Sequence, residues 1–189
     1  MKKFTLFFLI AISGIALTAT AQSSPDPGKP DLVLIDSVAS APGKAFMISI
    51  RLVVDDTTQH NDKTWVGIGS FCIPLKYDSR ALKMDSVKFV GTLANWDEKF
   101  TNSKIDTGFI SFAGIHNIGG PDNPALFSPG GPEEVIIMFG SVKEGATPGL
   151  YKFEITVDPL QKDMYLGSID GMHGWKPKFI PGRILVTVK

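Results

Sequence analysis

The stretch VGIGSFCIPLKYDSRAL, residues 66–82, contains the pattern that decides the fold. From position 71 its odd residues are apolar: Phe71, Ile73, Leu75 and Tyr77. The even positions form a mixed set: Ser70, Cys72, Pro74 and Lys76. Apolar side chains at every second position indicate a β-strand with only one face buried. The segment therefore predicts a central strand that packs against a second sheet.

Similar short strands are predicted on both sides of this one. One alternating run places Phe46, Ile48, Ile50 and Leu52 on a single face, and another places Tyr151, Phe153, Ile155 and Val157 on a single face. The 19 Gly and 13 Pro of the chain favour many short turns over long helices. Eight or nine short strands without a long amphipathic helix predict an all-β sandwich.

The N-terminus has the pattern of a bacterial-type secretory signal peptide. Lys2 and Lys3 precede an apolar run from Phe4 to Leu17, and small residues end at Ala21. This pattern predicts cleavage after residue 21, a linker over 22–30 rich in Pro and Ser, and one domain over 31–189. An uncleaved membrane anchor is the alternative; after cleavage we expect a secreted, extracellular protein without membrane insertion.

The charge balance argues against a nucleic-acid partner. The chain has 19 Lys plus Arg and 19 Asp plus Glu, and loss of Lys2 and Lys3 with the signal would leave a formal charge of −2. Nucleic-acid binders instead concentrate positive charge. Cys72 is the single cysteine, so no disulfide forms within the chain, and we expect a monomer unless an accessible Cys72 pairs with another molecule.

No pattern in the sequence indicates an enzyme. The chain has none of the short motifs of serine hydrolases, zinc proteases or phosphate-binding loops. His60, His116 and His173 are not spaced to activate a nucleophile, and Cys72 on a strand is typical of a small structural thiol. The sequence therefore predicts no catalytic residues and a non-catalytic protein.

An acidic loop raises a calcium hypothesis. Residues 55–63 read DDTTQHNDK, so the carboxylates of Asp55, Asp56 and Asp62 lie close together in the sequence. Calcium takes such oxygen ligands from loops, although the spacing of a helix–loop–helix calcium site is missing. Ordinary solvated loop charge is the alternative, and apart from this loop the sequence predicts no metal or cofactor.

The order of several motifs resembles the cohesin family and its relatives among the cellulose-binding modules. They are the turn Pro42-Gly43-Lys44 before an alternating strand, Gly67-Ile68, Leu75-Lys76-Tyr77-Asp78 with Leu82, and VKEGATPG at 142–149 before Tyr151 and Phe153. The likeness runs from about Asp31 to Lys189. It implies a nine-stranded jelly-roll β-sandwich and a non-catalytic role. Cohesins hold the dockerin modules of enzymes that degrade plant polysaccharides on an extracellular scaffold.

The resemblance also points to a binding face. In dockerin-binding cohesins the outward side of the strand that here carries Ser70, Cys72, Pro74 and Lys76 presents polar residues, commonly Asn and Asp. Ser70 and Cys72 fall at those two positions and lack a carboxylate, so a dockerin-type partner would be recognised differently. Pro74 has no N–H and predicts an edge or a bulge. A solvated face that binds nothing is the alternative.

The tryptophans suggest a second function. Flat aromatic rings pack well on sugars, and we expect Trp96 and Trp175 to be exposed and able to bind a carbohydrate, whereas Trp65 covers the edge of the core. Ordinary packing of each ring is the alternative. A third possibility is a surface or matrix protein in which the sandwich is only a spacer.

Overall fold

The computed structural model describes residues 26, 28–55, 57–60, 63–104, 107–116, 131–157, 163–169, 171 and 173–188, with backbone alone for 57–60, 63–66 and 104. The predicted signal peptide lies outside these residues, and its cleavage stays a prediction. Among the described residues, no helix is both long enough and apolar enough to cross a membrane.

Short β-strands make up almost all of the described structure. In chain order they are β1 (Leu32–Ile35), β2 (Val38–Ser40), β3 (Ala45–Val53), β4 (Thr57–His60), β5 (Lys63–Val66), β6 (Ser70–Lys76), β7 (Leu82–Phe89), β8 (Glu98–Lys104), β9 (Phe109–Ile115), β10 (Glu133–Val142), β11 (Gly149–Lys152), β12 (Glu154–Ile155), β13 (Tyr165–Gly167), β14 (Gly174–Trp175), β15 (Lys178–Ile180) and β16 (Arg183–Val186). A 3-10 helix, Gly91–Asn95, precedes β8.

The strands form two main sheets. The first sheet has the order β15-β1-β3-β10-β7, and the second has the order β14-β13-β6-β9-β8, with β12 also paired to β6. A small sheet of order β11-β16-β2 and the hairpin of β4 and β5 complete the described pairings. The all-β prediction is confirmed. The count of nine strands is not, because several predicted strands are divided into shorter ones.

The central strand behaves as its alternation predicts. Phe71, Ile73 and Leu75 of β6 are completely buried, and they belong to the same core cluster as Ile48, Ile50 and Leu52 of β3. Full burial of each such side chain contributes roughly 1.5–3 kcal/mol from its removal from water. The seam between the first and second sheets is therefore the hydrophobic core.

One predicted strand is divided between two sheets. Residues 151–157 alternate as one strand would, but β11 pairs with β16 whereas β12 pairs with β6. Phe153 lies between them with no solvent exposure, and its ring centroid is 6.3 Å from that of Tyr77. The prediction that Val157 continues the same strand face is wrong, because the strand ends at Ile155 and Val157 is exposed.

Two segments with many polar residues contain regular structure. The polar segment 55–63 includes β4 and the start of β5, which pair as an antiparallel hairpin. The segment 95–100 divides into the end of the 3-10 helix and the first residues of β8, and its Trp96 belongs to the core cluster.

The two ends of the described domain pair with each other. β1 runs parallel to β15, with Val33 beside Phe179, and β2 runs parallel to β16, with Ala39 beside Leu185. The described N-terminal and C-terminal strands are therefore neighbours in space although they are far apart in the sequence.

We predict that Phe71→Ala lowers the free energy of unfolding by about 3–5 kcal/mol, because a fully buried aromatic ring leaves a cavity. Phe71 packs on Trp96, with ring centroids 5.4 Å apart, and a Cβ at Gly114 would lie 2.5 Å from the Phe71 ring. Urea unfolding measures the change. Met47→Ala, at an exposed position of β3, is the control and should change stability by less than about 0.5 kcal/mol. Equal effects of the two variants would contradict the position of Phe71 in the core.

Candidate functional site

The outer face of the second sheet is the surface on which the predicted partner-binding residues lie. Strand register places Phe100, Ala113, Cys72 and Tyr165 in one row across β8, β9, β6 and β13. The neighbouring rows contain Glu98, Ile115, Ser70 and Gly167 on one side, and Asn102, Ser111, Pro74, Phe109, Lys76 and Glu154 on the other. We call these residues together the outer face.

Two of the four predicted binding residues are not open to solvent. Lys76 is exposed and Ser70 is half-buried, but Cys72 and Pro74 are buried. Cys72 does not belong to the core cluster between the sheets, so its burial comes from neighbours on the outer face. The expectation that Cys72 and Pro74 are available for direct contact is wrong; the role of this face in binding stays a prediction.

Tyr165 is the cross-strand neighbour of Cys72 on the outer face. It lies directly opposite Cys72 in the pairing of β13 with β6, and its side chain hydrogen-bonds with Ser70. Burial raises the pKa of the Tyr165 hydroxyl above its usual value of 10.0, the Cys72 thiol raises the pKa further, and the bond with Ser70 opposes the rise. Tyr165 therefore stays neutral at physiological pH.

Pro74 lies where the sheet changes partner. Along one edge, β6 pairs continuously with β9. Along the other edge, its pairing with β13 extends as far as Cys72 and its pairing with β12 starts at Leu75, which leaves an interruption between the two partners. The carbonyl of Pro74 accepts a hydrogen bond of 3.2 Å from the N–H of Thr156. Because a residue's N–H and C=O point to the same side of a strand, the missing N–H faces this interruption. The prediction that Pro74 marks an edge or a bulge is wrong, since β6 lies inside the sheet and its pairing with β9 shows no shift of register.

Exposed apolar side chains lie beside the covered centre. Phe100 is 52% exposed and Ile115 is 46% exposed, whereas Ala113, in the same row as Phe100, is buried. Phe100 and Ile115 are diagonal neighbours across β8 and β9, a separation of roughly 7–8 Å that an aromatic side chain can reach across. We call Phe100, Ala113 and Ile115 the apolar patch. The sequence shows their alternation but not which sheet face they occupy.

Charged residues surround the apolar patch without a single dominant sign. Glu98 is exposed in the row of Ile115, and exposed Lys76 lies directly opposite Glu154 of β12. Opposite charges at facing positions of an antiparallel pair contribute about 0.2–1 kcal/mol. The outer face thus combines an apolar patch with a polar surround, which is the usual composition of a protein interface.

The tryptophans do not form an exposed platform for sugars. Trp96 and Trp175 are each 2% exposed, so the expectation that they are exposed is wrong. The Trp96 ring stacks on His116 at a centroid distance of 5.5 Å, and the indole N–H of Trp175 donates to the Asp31 carboxylate at 3.0 Å. Both rings belong to the core cluster. The side chain of Trp65 lies outside the described side chains.

One aspartate of the predicted calcium loop has carboxylate neighbours from another segment of the chain. Asp55 lies beside Asp26 and Asp31, which come from the segment before β1, rather than in a described group with its sequence neighbours. Asp56 and Asp62 lie outside the described residues. The sequence offered no signal for the pairing, because it depends on the antiparallel contact of β1 with β3.

The arrangement of the two sheets is similar to that in solved structures of cohesins. A chain of a type I cohesin–dockerin complex from Clostridium thermocellum superposes with a TM-score of 0.66 at 17% identity, covering 84% of this chain and 99% of that chain. The seventh ScaB type I cohesin from Pseudobacteroides cellulosolvens gives 0.62 at 20% identity, with 84% and 93% covered. This chain has the cohesin fold. A non-cellulosomal cohesin from the archaeon Archaeoglobus fulgidus also matches, with a TM-score of 0.57, 12% identity, and 84% and 91% covered.

The likeness to these cohesins lies in the fold and not in close sequence similarity. No protein-family model and no curated protein sequence matches the chain. At identities this low, the shared property is the arrangement of strands, and the chemistry of the outer face must be read from its own residues.

We predict that stability falls above pH 10 partly because of Tyr165. Its pKa is raised in the folded protein, so between the unfolded value of 10.0 and the higher folded value only the unfolded chain loses this proton. Tyr165→Phe should therefore flatten the decline of the unfolding free energy with pH in that range. Urea unfolding from pH 8 to 11 measures it. Cys72→Ala should keep most of the decline, since burial is the largest cause of the shift; identical slopes for the wild type and Tyr165→Phe would contradict the assignment.

Proposed function

We propose that the chain is a secreted, non-catalytic binding module that holds a protein partner of the dockerin type on its outer face. The observation that carries this proposal is an exposed apolar patch on the outer face of the sheet that contains β6, in a chain with the cohesin fold. A structure of a cohesin–dockerin complex is among the matches, which supports a protein as the partner.

The exposed area of Phe100 and Ile115 supports a docking role. Large apolar side chains that lie side by side on a surface are typical of interaction sites, because water contacts them unfavourably until a partner covers them. A central aromatic or aliphatic anchor surrounded by polar groups is the pattern in which a few residues supply most of the binding energy. Phe100, with Glu98 and Asn102 on the same strand, fits that pattern.

Recognition by this face would differ from recognition through paired Asn and Asp side chains. Cys72 is buried, Ser70 hydrogen-bonds with Tyr165, and neither side chain has a carboxylate or an amide to offer at the centre. Polar contact is left to the surround, chiefly Lys76, Glu98 and Asn102. We infer a partner that brings an apolar surface to the patch and polar groups to its edges.

The predicted signal peptide and the resemblance to cohesins together support a role in an extracellular assembly. A signal peptide cleaved after Ala21 would deliver the module outside the cell, where an assembly of polysaccharide-degrading enzymes would use a protein-binding unit. The buried positions of Trp96 and Trp175 give no support to direct sugar binding. A domain that only spaces other parts apart is the outcome if no partner binds.

We predict that Phe100→Asp and Ile115→Asp each weaken dockerin-type binding by about 10- to 100-fold, or about 1.4–2.8 kcal/mol, because a carboxylate would be buried against an apolar partner. The measurement is surface plasmon resonance of the purified protein against a panel of dockerin modules. Met47→Asp is a matched control, since Met47 is 55% exposed on a strand of the first sheet. Failure of every dockerin to bind the wild type, or an equal loss with Met47→Asp, would reject the proposal.

We also predict that the protein recovered outside a bacterial host begins at Gln22, because the small residues before it satisfy the signal peptidase. N-terminal sequencing of the secreted protein measures the cleavage site. Ala19→Leu with Ala21→Leu should retain the uncleaved chain in the membrane fraction. Secreted protein that still begins at Met1 would exclude this route.

A further inference from the structure

Three carboxylates converge where the chain enters the first sheet. Asp26 lies before β1, Asp31 directly precedes its first residue, and Asp55 follows the end of β3. Because β1 and β3 are antiparallel, with Leu32 opposite Val53, the start of one strand lies at the end of the other. One oxygen of each carboxylate lies within 4.8 Å of the other two. We call these three residues the acidic cluster.

Hydrogen bonds hold the acidic cluster in place. The Asp26 carboxylate accepts the N–H of Asp31 at 2.8 Å, and the Asp31 carboxylate accepts the N–H of Asp55 at 3.2 Å. The other oxygen of Asp31 accepts the indole N–H of Trp175 at 3.0 Å, and Oδ2 of Asp55 accepts the N–H of Lys29 at 3.3 Å. The three carboxylates are therefore fixed close together by backbone and indole donors.

Two of the oxygens are buried but have no donor. Oδ1 of Asp26 and Oδ1 of Asp55 are shielded from solvent and lack a hydrogen-bond partner in the described structure, and Asp31 is only 1% exposed. A buried carboxylate oxygen without a partner is unfavourable, and neighbouring negative charges add repulsion. The ion pairs found among the described residues do not include Asp26 or Asp55. A bound cation would coordinate the two oxygens that lack a donor and would offset the repulsion between the carboxylates.

We propose that the acidic cluster binds a calcium ion. Calcium prefers carboxylate oxygens at about 2.3–2.6 Å, so oxygens on one ion can be separated by up to roughly 5 Å, which fits the observed spacing. Backbone carbonyls or water would complete the six to eight oxygen ligands that calcium takes. Magnesium, with shorter bonds and stricter geometry, is the poorer fit. The ion would fasten the segment before β1 to the end of β3 and, through Asp31 and Trp175, to β14 of the second sheet.

Calcium binding to the purified protein tests the site without any partner, so its outcome is independent of the proposed docking function. At a calcium concentration about 100 times Kd, the midpoint of thermal unfolding should rise by roughly 5–10 °C relative to chelator. Asp26→Asn and Asp55→Asn should each weaken binding at least tenfold by calorimetry and remove about half or more of the rise. Asp85→Asn, which changes a surface carboxylate paired with Lys83 on β7, is the matched control and should keep both.

A second measurement places the ion beside Trp175. Terbium substitutes for calcium and emits when a nearby indole transfers excitation energy to it, so titration with terbium should give luminescence that calcium competes away. Trp175→Phe should remove most of that emission, whereas Trp96→Phe, in the packed contact with His116, should keep it. A wild type that binds neither calcium nor terbium would overturn the proposal, as would Asp26→Asn and Asp55→Asn variants that bind calcium as tightly as the wild type.

Discussion

The structure depends on the division of β6 into a side that fills the core and a side that does not. Phe71, Ile73 and Leu75 fill the seam between the sheets, and β6 is paired along both of its edges. A shift of one residue in its register would exchange the buried and outward sides, so the core fixes the register. The same constraint determines which residues of β9 and β8 share the outer face, and thereby where the apolar patch lies.

The sequence was sufficient for the buried side of this arrangement and insufficient for the outward side. Alternation along β3 and β6 identifies core residues because burial leaves a period of two in each strand separately. Which strands lie side by side depends on pairing between distant segments, which no local pattern contains. Phe100 could not be placed beside Ala113 and Ile115 without the register of β8 and β9, and the burial of Cys72 could not be recognised without the pairing of β6 with β13.

The tryptophans and the acidic cluster also show that local sequence patterns do not identify contacts between distant residues. Trp96 lies in a charged segment and Trp175 among glycines and lysines, surroundings that indicate a surface; nevertheless both rings are buried by contacts with His116 and Asp31. The sequence groups Asp55 with Asp56 and Asp62, and the antiparallel contact of β1 and β3 also brings it to Asp26 and Asp31. Composition describes an average environment, whereas a site is made by particular contacts.

The parallel pairing of the terminal strands affects how the domain can fold during synthesis. Among the described strands, β1 and β2 are synthesised first and their partners β15 and β16 are synthesised last. The early strands each keep an unpaired backbone edge until nearly the whole domain has been made, and such edges can associate with other chains. The domain therefore closes only after β16 has been synthesised, and a fragment that lacks β15 and β16 would be prone to aggregation.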